Sequence, residues 1–326
     1  MQYLQMFQWY CEARECYVYL TDIELPPLIP PFNLLSDEKA KLVAQFHQSN
    51  WFERGWTLQE LIAPRAVVFC NAHWDVIGHH KQKSVRKPHD LTNDLYDLAC
   101  GLDLTKEVSE ISGIATVYLK RSKPLKRASI AQRMSWAAKR STTRPEDEAY
   151  CLLGIFGINM PLLYGEGRKA FFRLQEELIR HSTDMSVLAW DSCHLRGTHG
   201  VLARSPRWFA GVGGKDELCH IPGETASTTN HGLQLRTVMS YYAADKFVLS
   251  LNYAMQDRKP VQILLSMTTK YATFFRDPEN LDPSKVRPVK KKDTYLIYLS
   301  TDQEIVSMDQ PPEHVDDHHE DRFLEH

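Results

Sequence analysis

The stretch W51-F-E-R-G-W-T-L-Q-E-L-I-A-P64 decides how the chain is read. Its periodicity predicts a helix, begun near Ser49 or Asn50 and stopped at Pro64. Trp56 and Glu60 stand four residues apart, so a helix stacks them on one face. Leu58, Leu61 and Ile62 fall together on the opposite side. Such a helix buries its leucine side and presents an indole beside a carboxylate on the other. Two accounts of that second face stay open: a core-packed helix with a solvated glutamate, or a site.

Outward from this stretch, the flanking runs alternate in type. A helix with Tyr3, Met6, Phe7 and Tyr10 on one stripe leads into CYVYL (16–20), a strand ending at Thr21 and Asp22. ELPPLIPPFN (24–33) is too proline-rich for a helix. A helix then starts at Ser36, with Asp37 and Glu38 in its first turn and Lys39, Leu42, Val43 and Phe46 along its stripe. AVVFCNAHW (66–74) reads as a second buried strand. Helix, strand, helix, helix, strand is the rhythm of an α/β sheet with parallel strands.

Residues 79–90 (HHKQKSVRKPHD) are basic but lack interleaved aromatics, so they read as a solvated loop. DLTNDLYDLACGL (90–102) and LTKEVSEISGI (104–114) are expected as short helices, the second capped by Thr105 and closed by Gly113. Residues 129–190 form the clearest helical block, with capping-box patterns at Ser129/Gln132 and Thr143/Glu146. GEGRKA (165–170) lacks the glycine spacing and the Lys-Ser/Thr pair of a phosphate loop and reads as a turn into a helix. That helix places Phe171, Leu174 and Leu178 inward and pairs Glu176 with Arg180 outside. Beyond Trp190, GLQLRTVM, KFVLSLNYA, VQILLSM, YATFFRD and DTYLIYLS are strands at near-regular spacing, an antiparallel sheet or sandwich. The acidic, His-rich end (306–326) reads as a polar tail.

The expected architecture is therefore a partial parallel α/β sheet (1–80), a linker with short helices (81–128), a helical region (129–190) and a β-rich domain (191–305). The 326 residues carry a net charge of −2, which gives no electrostatic case for nucleic acid. No apolar run is long enough to span a bilayer, and no secretory signal is visible. Seven scattered cysteines without C-x-x-C spacing fit a reduced, cytoplasmic protein whose thiols fill core space. No metal-ligand spacing stands out.

With these segments placed, MFQWYCEARECYVYLTD (6–22), RGWTLQE with its following strand (51–78), the 129–180 block and STDMSVLAW (182–190) resemble the fungal HET (heterokaryon incompatibility) domain family. In its larger members a helical region follows the HET domain, and a β-rich extension follows that. The resemblance implies a role in vegetative incompatibility: nonself recognition between fused mycelia and death of the fused cell, exerted through protein partners, with self-association an option. The HET domain is itself similar to TIR domains, which have a flavodoxin-like fold. Some TIR domains hydrolyse NAD with a glutamate four residues after a tryptophan, and Glu60 after Trp56 matches that spacing. By that analogy Glu60 is the catalytic candidate, and Trp56, Asp22 and Arg54 are the nucleotide-binding candidates. NAD would be a substrate and no cofactor is implied. HET domains open with a strand resembling S-Y-x-W-G, and none precedes Met1, so an incomplete pocket is expected. Three outcomes stay open: a cell-death effector, a non-catalytic interaction or decoy protein (or pseudogene product), and an NAD-hydrolysing enzyme.

Overall fold

The computed structural model describes residues 2–24, 36–81, 102–191, 197, 199–212, 219–220, 226–229, 232–254, 260–268, 273–287 and 295–301. The proline-rich 25–33 segment, most of the basic run, the helix expected within 90–101 and the tail lie outside these residues.

A helix over Gln2–Glu12 feeds strand β1, Cys16–Tyr19. β2 (Ala66–Cys70) lies parallel to β1, pairing Cys16 with Val67 through Tyr19 with Cys70. All five β2 residues are buried, as an apolar run between two layers requires. The sheet does not stay parallel. β3 (Val76–Lys81) returns antiparallel to β2, and β4 (Leu102–Asp103) then runs parallel to β3, giving the order β1-β2-β3-β4. The expected parallel sheet is therefore mixed. The reason is local: after Cys70 a turn through Asn71 sends the chain straight back. Asn71 Oδ1 accepts from the backbone N–H groups of His73 and Asp75, each at 2.9 Å. His79 and His80, placed in a loop by their charge, belong to this returning strand, and His80 is buried.

The helix Ser36–His47 buries Leu42 and Phe46, while Lys39 lies in solvent. Phe46 meets Phe52 and Phe69 edge-on, at 5.1 and 4.9 Å between ring centres. Trp51 meets Phe52 at 5.1 Å in the same manner. This aromatic cluster anchors the opening stretch on β2.

In the 129–190 region Ser129 caps the helix Ile130–Ser135, accepting from Gln132 N. The second capping box is not made. The helix there starts only at Asp147, and the Glu146 side chain turns away to accept from the N–H groups of Gly165 and Gly167. Its own backbone N–H first, then those of Gly167 and Gly165, hold the Glu146 carboxyl below the usual carboxylate range. At the second short helix, Asp103 rather than Thr105 supplies the cap: its Oδ1 accepts from Thr105 N, and Thr105 is the first helical residue of Thr105–Ser112. Gly113 closes that helix in the left-handed conformation, as expected. The long helix Lys169–His181 buries Phe171, Leu174 and Leu178. On its outer face Arg180 pairs with Glu177 at 2.6 Å, three residues away, rather than with Glu176.

The described C-terminal strands, beginning with Cys219–His220 (β5), Ala226–Thr229 (β6), Gly232–Thr237 (β7) and Met239–Ala243 (β8), form one eight-stranded, mostly antiparallel sheet. Lys246–Ala254 (β9) and Pro260–Thr268 (β10) are central, and Thr273–Arg276 (β11) pairs with β10. Tyr295–Leu299 (β12) runs parallel to β11. Gln175, wholly buried on the long helix, ties this part to the helical block. Its amide donates to Ala203 O and accepts from Ala203 N, both at 2.8 Å. Among the described residues one large hydrophobic cluster runs from Val18 to Leu299, and a small second one gathers Tyr242, Val248 and Leu264.

Candidate functional site

The RGWTLQE stretch is two short elements broken at Gly55. A 3-10 turn covers Asn50–Glu53, with Ser49 Oγ accepting from Trp51 N, and an α-helix covers only Thr57–Ile62. The break follows from what lies across it. Gly55 N donates to Ser141 O at 2.8 Å, and Ser141 N donates to Glu53 O at 2.6 Å. A Cβ on Gly55 would stand 2.4 Å from Thr142 Cγ2, so only glycine lets the two backbones approach.

The helix closes the same seam with polar side chains. Thr57 Oγ1 donates toward Trp51 O and Arg54 O. Arg140 is buried and donates from Nη1 to Arg54 O and Thr57 Oγ1, both at 2.8 Å, and from Nε to Trp136 O. Gln59, completely buried, donates to Cys151 O at 2.6 Å. With Leu58, Leu61 and Ile62 also buried, only the side carrying Trp56 and Glu60 remains half-open.

Glu60 and Trp56 do share a face. Trp56 takes the residue before the helix in helical conformation (φ −65°, ψ −31°) and packs against the main core. Glu60 faces the end of the first helix and the start of β1, where the Tyr10 hydroxyl hydrogen-bonds it. Burial, then the Glu60 charge and Cys16, push the Tyr10 phenol well above its ordinary range. Burial first and the Glu60 charge second push the Cys16 thiol to about 12. Cys151, fully enclosed, is also pushed up to about 12 by burial, against the pull of Arg140. Burial lowers the Arg140 guanidinium to about 10, which keeps it charged at neutral pH, and Cys151 and Glu60 act in the opposite direction. Neither thiol is a thiolate at neutral pH, so neither is a ready nucleophile. What the cluster offers is one carboxylate held by a phenol beside a buried cation.

The other candidates lie elsewhere. Asp22 follows the carboxyl end of β1, whereas Glu60 neighbours Cys16 at its amino end, about 10 Å away along the strand rise alone. Both Asp22 oxygens are engaged, Oδ1 by Ser49 Oγ at 2.9 Å and Oδ2 by Asn50 N at 2.7 Å. Arg54 is exposed, and its backbone bridges to Ser141. The residues that organise the seam, Gly55, Thr57, Gln59 and Arg140, carried no catalytic signature in the sequence. The one available signal was polar: Gln59 stands beside the apolar arc and Arg140 sits in a block otherwise rich in alanine.

Fold and seam together define an α/β unit with a mixed sheet, clamped through a glycine-threonine-glutamine joint onto a helical block that also carries a β-rich part. Over 174 residues the chain is 37% identical to the vegetative incompatibility protein HET-E-1 of Podospora anserina. The likeness takes in 53% of this chain but 11% of that protein, so the chain spans a small part of its relative's length. It supports a relationship to heterokaryon-incompatibility proteins. No family model matches the chain, and no solved structure matches it. No described helix is long and apolar enough to cross a membrane.

Proposed function

We propose that this chain is the HET-type part of a vegetative-incompatibility effector that acts inside the cell, through protein contacts, in nonself recognition and cell death. The observation that carries this is the 37% identity to an incompatibility protein over 174 residues. The TIR-like character of the α/β unit belongs to this proposal. In this reading the RGWTLQE stretch works as a joint. It couples the α/β unit to the helical block, so a signal received by one part is transmitted to the other. Support comes from the hydrogen bonds that Gly55, Thr57 and Gln59 spend on Ser141, Arg140 and Cys151.

A second reading, NAD hydrolysis by Glu60, is favoured by one feature: Trp56 and Glu60 share the half-open face of the helix. A carboxylate there stabilises an oxocarbenium-like transition state as nicotinamide leaves, and an indole packs on a ring. Against it stand the Tyr10 hydroxyl already on Glu60 and the placement of Asp22 at the far end of β1. Expression of the chain in a fungal host, with viability and cellular NAD followed together, separates the readings. Killing that persists in Glu60→Ala with NAD unchanged supports the contact-driven effector. Loss of both killing and NAD depletion in that variant supports the enzyme, and absence of any phenotype supports a decoy.

A further inference from the structure

The loop that feeds the long Lys169–His181 helix is fixed by a dense set of polar contacts. Tyr150 is wholly buried, and its hydroxyl accepts from Leu163 N at 2.8 Å and donates to Glu166 Oε1 at 2.9 Å. Arg173 pairs with the same Glu166 oxygen and donates to Pro161 O at 2.7 Å. Glu146, 5% exposed, takes the N–H groups of Gly165 and Gly167. What this fixed backbone displays is apolar. Leu163 is 52% exposed and Tyr164 43%, with Pro161 exposed beside them. Neighbouring apolar side chains on a rigid backbone lose little freedom when something covers them, which is the property of a docking epitope.

Cations ring this tip. The exposed Arg144 guanidinium lies 4.8 Å from the Tyr164 ring centre, and Arg168 and Lys169 are exposed on the following turn. The acids nearby are engaged: Asp147 by the Tyr164 hydroxyl, Glu166 by Arg173, and Glu148 by the charges of Arg207 and Arg168. Lys169 has no ion pair among the described residues. The occupant that suits such a tip carries apolar side chains between carboxylates. The sequence beyond Thr301, the last described residue, supplies that pattern: Glu320, Asp321, Phe323, Leu324 and Glu325, with Arg322 among them. At ~3.3 Å per residue, 302–320 extend up to about 60 Å, against roughly 50 Å across a folded unit of this size. Two half-exposed side chains and one or two surface ion pairs give a dissociation constant of about a millimolar. A free partner at micromolar concentration leaves such a site empty. A segment of the same chain meets it at an effective concentration on the order of a millimolar. The size of the contact therefore favours a tethered occupant.

We propose that the 161–169 loop is the docking site of the chain's own acidic Phe-Leu segment, residues 320–325. Phe323 and Leu324 cover Leu163 and Tyr164, and Glu320, Asp321 and Glu325 lie among Arg144, Arg168 and Lys169. The contact is independent of the incompatibility reading and uses none of the joint's residues.

Zero-length carbodiimide coupling of the whole chain, read by peptide mass spectrometry, tests it. Lys169 couples to Glu320, Asp321 or Glu325 at several times the yield of Lys126 and Lys139, which are also exposed and serve as references. The yield stays constant over a tenfold dilution, because the contact lies within one chain. A double variant, Phe323→Ser with Leu324→Ser, removes the apolar half of the contact, keeps every carboxylate and leaves the loop untouched. It lowers the Lys169 yield about fivefold and leaves the two reference yields unchanged. Leu163→Ser, at a half-exposed position, has the same effect from the other side. The proposal is overturned if Lys169 couples to 320–325 no more than Lys126 and Lys139 do. A yield that falls with dilution assigns the contact to a second copy and overturns it too, as does undiminished coupling in the double variant.

Discussion

Gly55→Ala is the sharpest probe of the joint. The new Cβ would lie 2.4 Å from Thr142 Cγ2, whereas carbon atoms rest at about 3.5–4.0 Å, so the two segments must part by more than about 1 Å. Gly55 does not have a positive φ, so the cost comes from space and not from backbone strain. Overpacking of this kind costs about 1–3 kcal/mol. The separation also loosens Gly55 N–Ser141 O and Ser141 N–Glu53 O, each contributing about 0.5–1.5 kcal/mol. The expected loss is therefore roughly 2–6 kcal/mol, read as a lower urea midpoint by tryptophan fluorescence. Thr142→Ser removes Cγ2 and keeps the hydroxyl that donates to Arg144 O at 2.7 Å. Alone it costs under about 1 kcal/mol, and in the double variant it restores about 1–2 kcal/mol of the Gly55→Ala loss. Equal loss with and without Thr142→Ser, or a Gly55→Ala protein within about 0.5 kcal/mol of wild type, refutes the reasoning.

Three further outcomes follow from buried polar groups. His80 is held neutral, burial pushing its pKa from the ordinary 6.5 down to about 4. The folded value lies below the unfolded one, so its contribution is complete above about pH 6.5 and is lost as pH falls toward 4. That amounts to roughly 3 kcal/mol, and His80→Asn should flatten the fall in urea midpoint over that window; an unchanged pH slope refutes it. Gln175→Leu strands both backbone polar groups of Ala203, for about 2–4 kcal/mol, and hydrogen exchange at the Ala203 amide should accelerate while that of the Lys169–His181 helix changes less. Cys16 and Cys151, their thiols pushed to about 12, should resist iodoacetamide at pH 8 in the folded chain and react once it is denatured; rapid native labelling of either contradicts the burial argument.

Much of the local structure was legible because its causes are local. The apolar run at 66–70, the serine cap at 129, the glycine stop at 113 and the stripe of Phe171, Leu174 and Leu178 each depend on neighbours within a turn or two. The C-terminal strands followed from alternation and breaks in the same way. The shared face of Trp56 and Glu60 was likewise readable from their spacing. Two misplacements had different causes: the Glu146 carboxylate found a competing pair of donors 19 and 21 residues on, in the Gly165–Gly167 turn, and charge at His79 and His80 masked a strand.

What the chain alone determined is most of the elements and the shared face of Trp56 and Glu60. The tertiary structure decided what the RGWTLQE stretch is attached to. Gly55 meets Thr142, Thr57 meets Arg140 and Gln59 meets Cys151 across 83 or more residues of sequence. No periodicity records such contacts, because they arise when two surfaces dock and their polar groups must find partners out of water. The same docking set Glu60 against Tyr10 at one end of β1 and Asp22 against Ser49 at the other, separating two carboxylates that the linear order had left as candidates for one site.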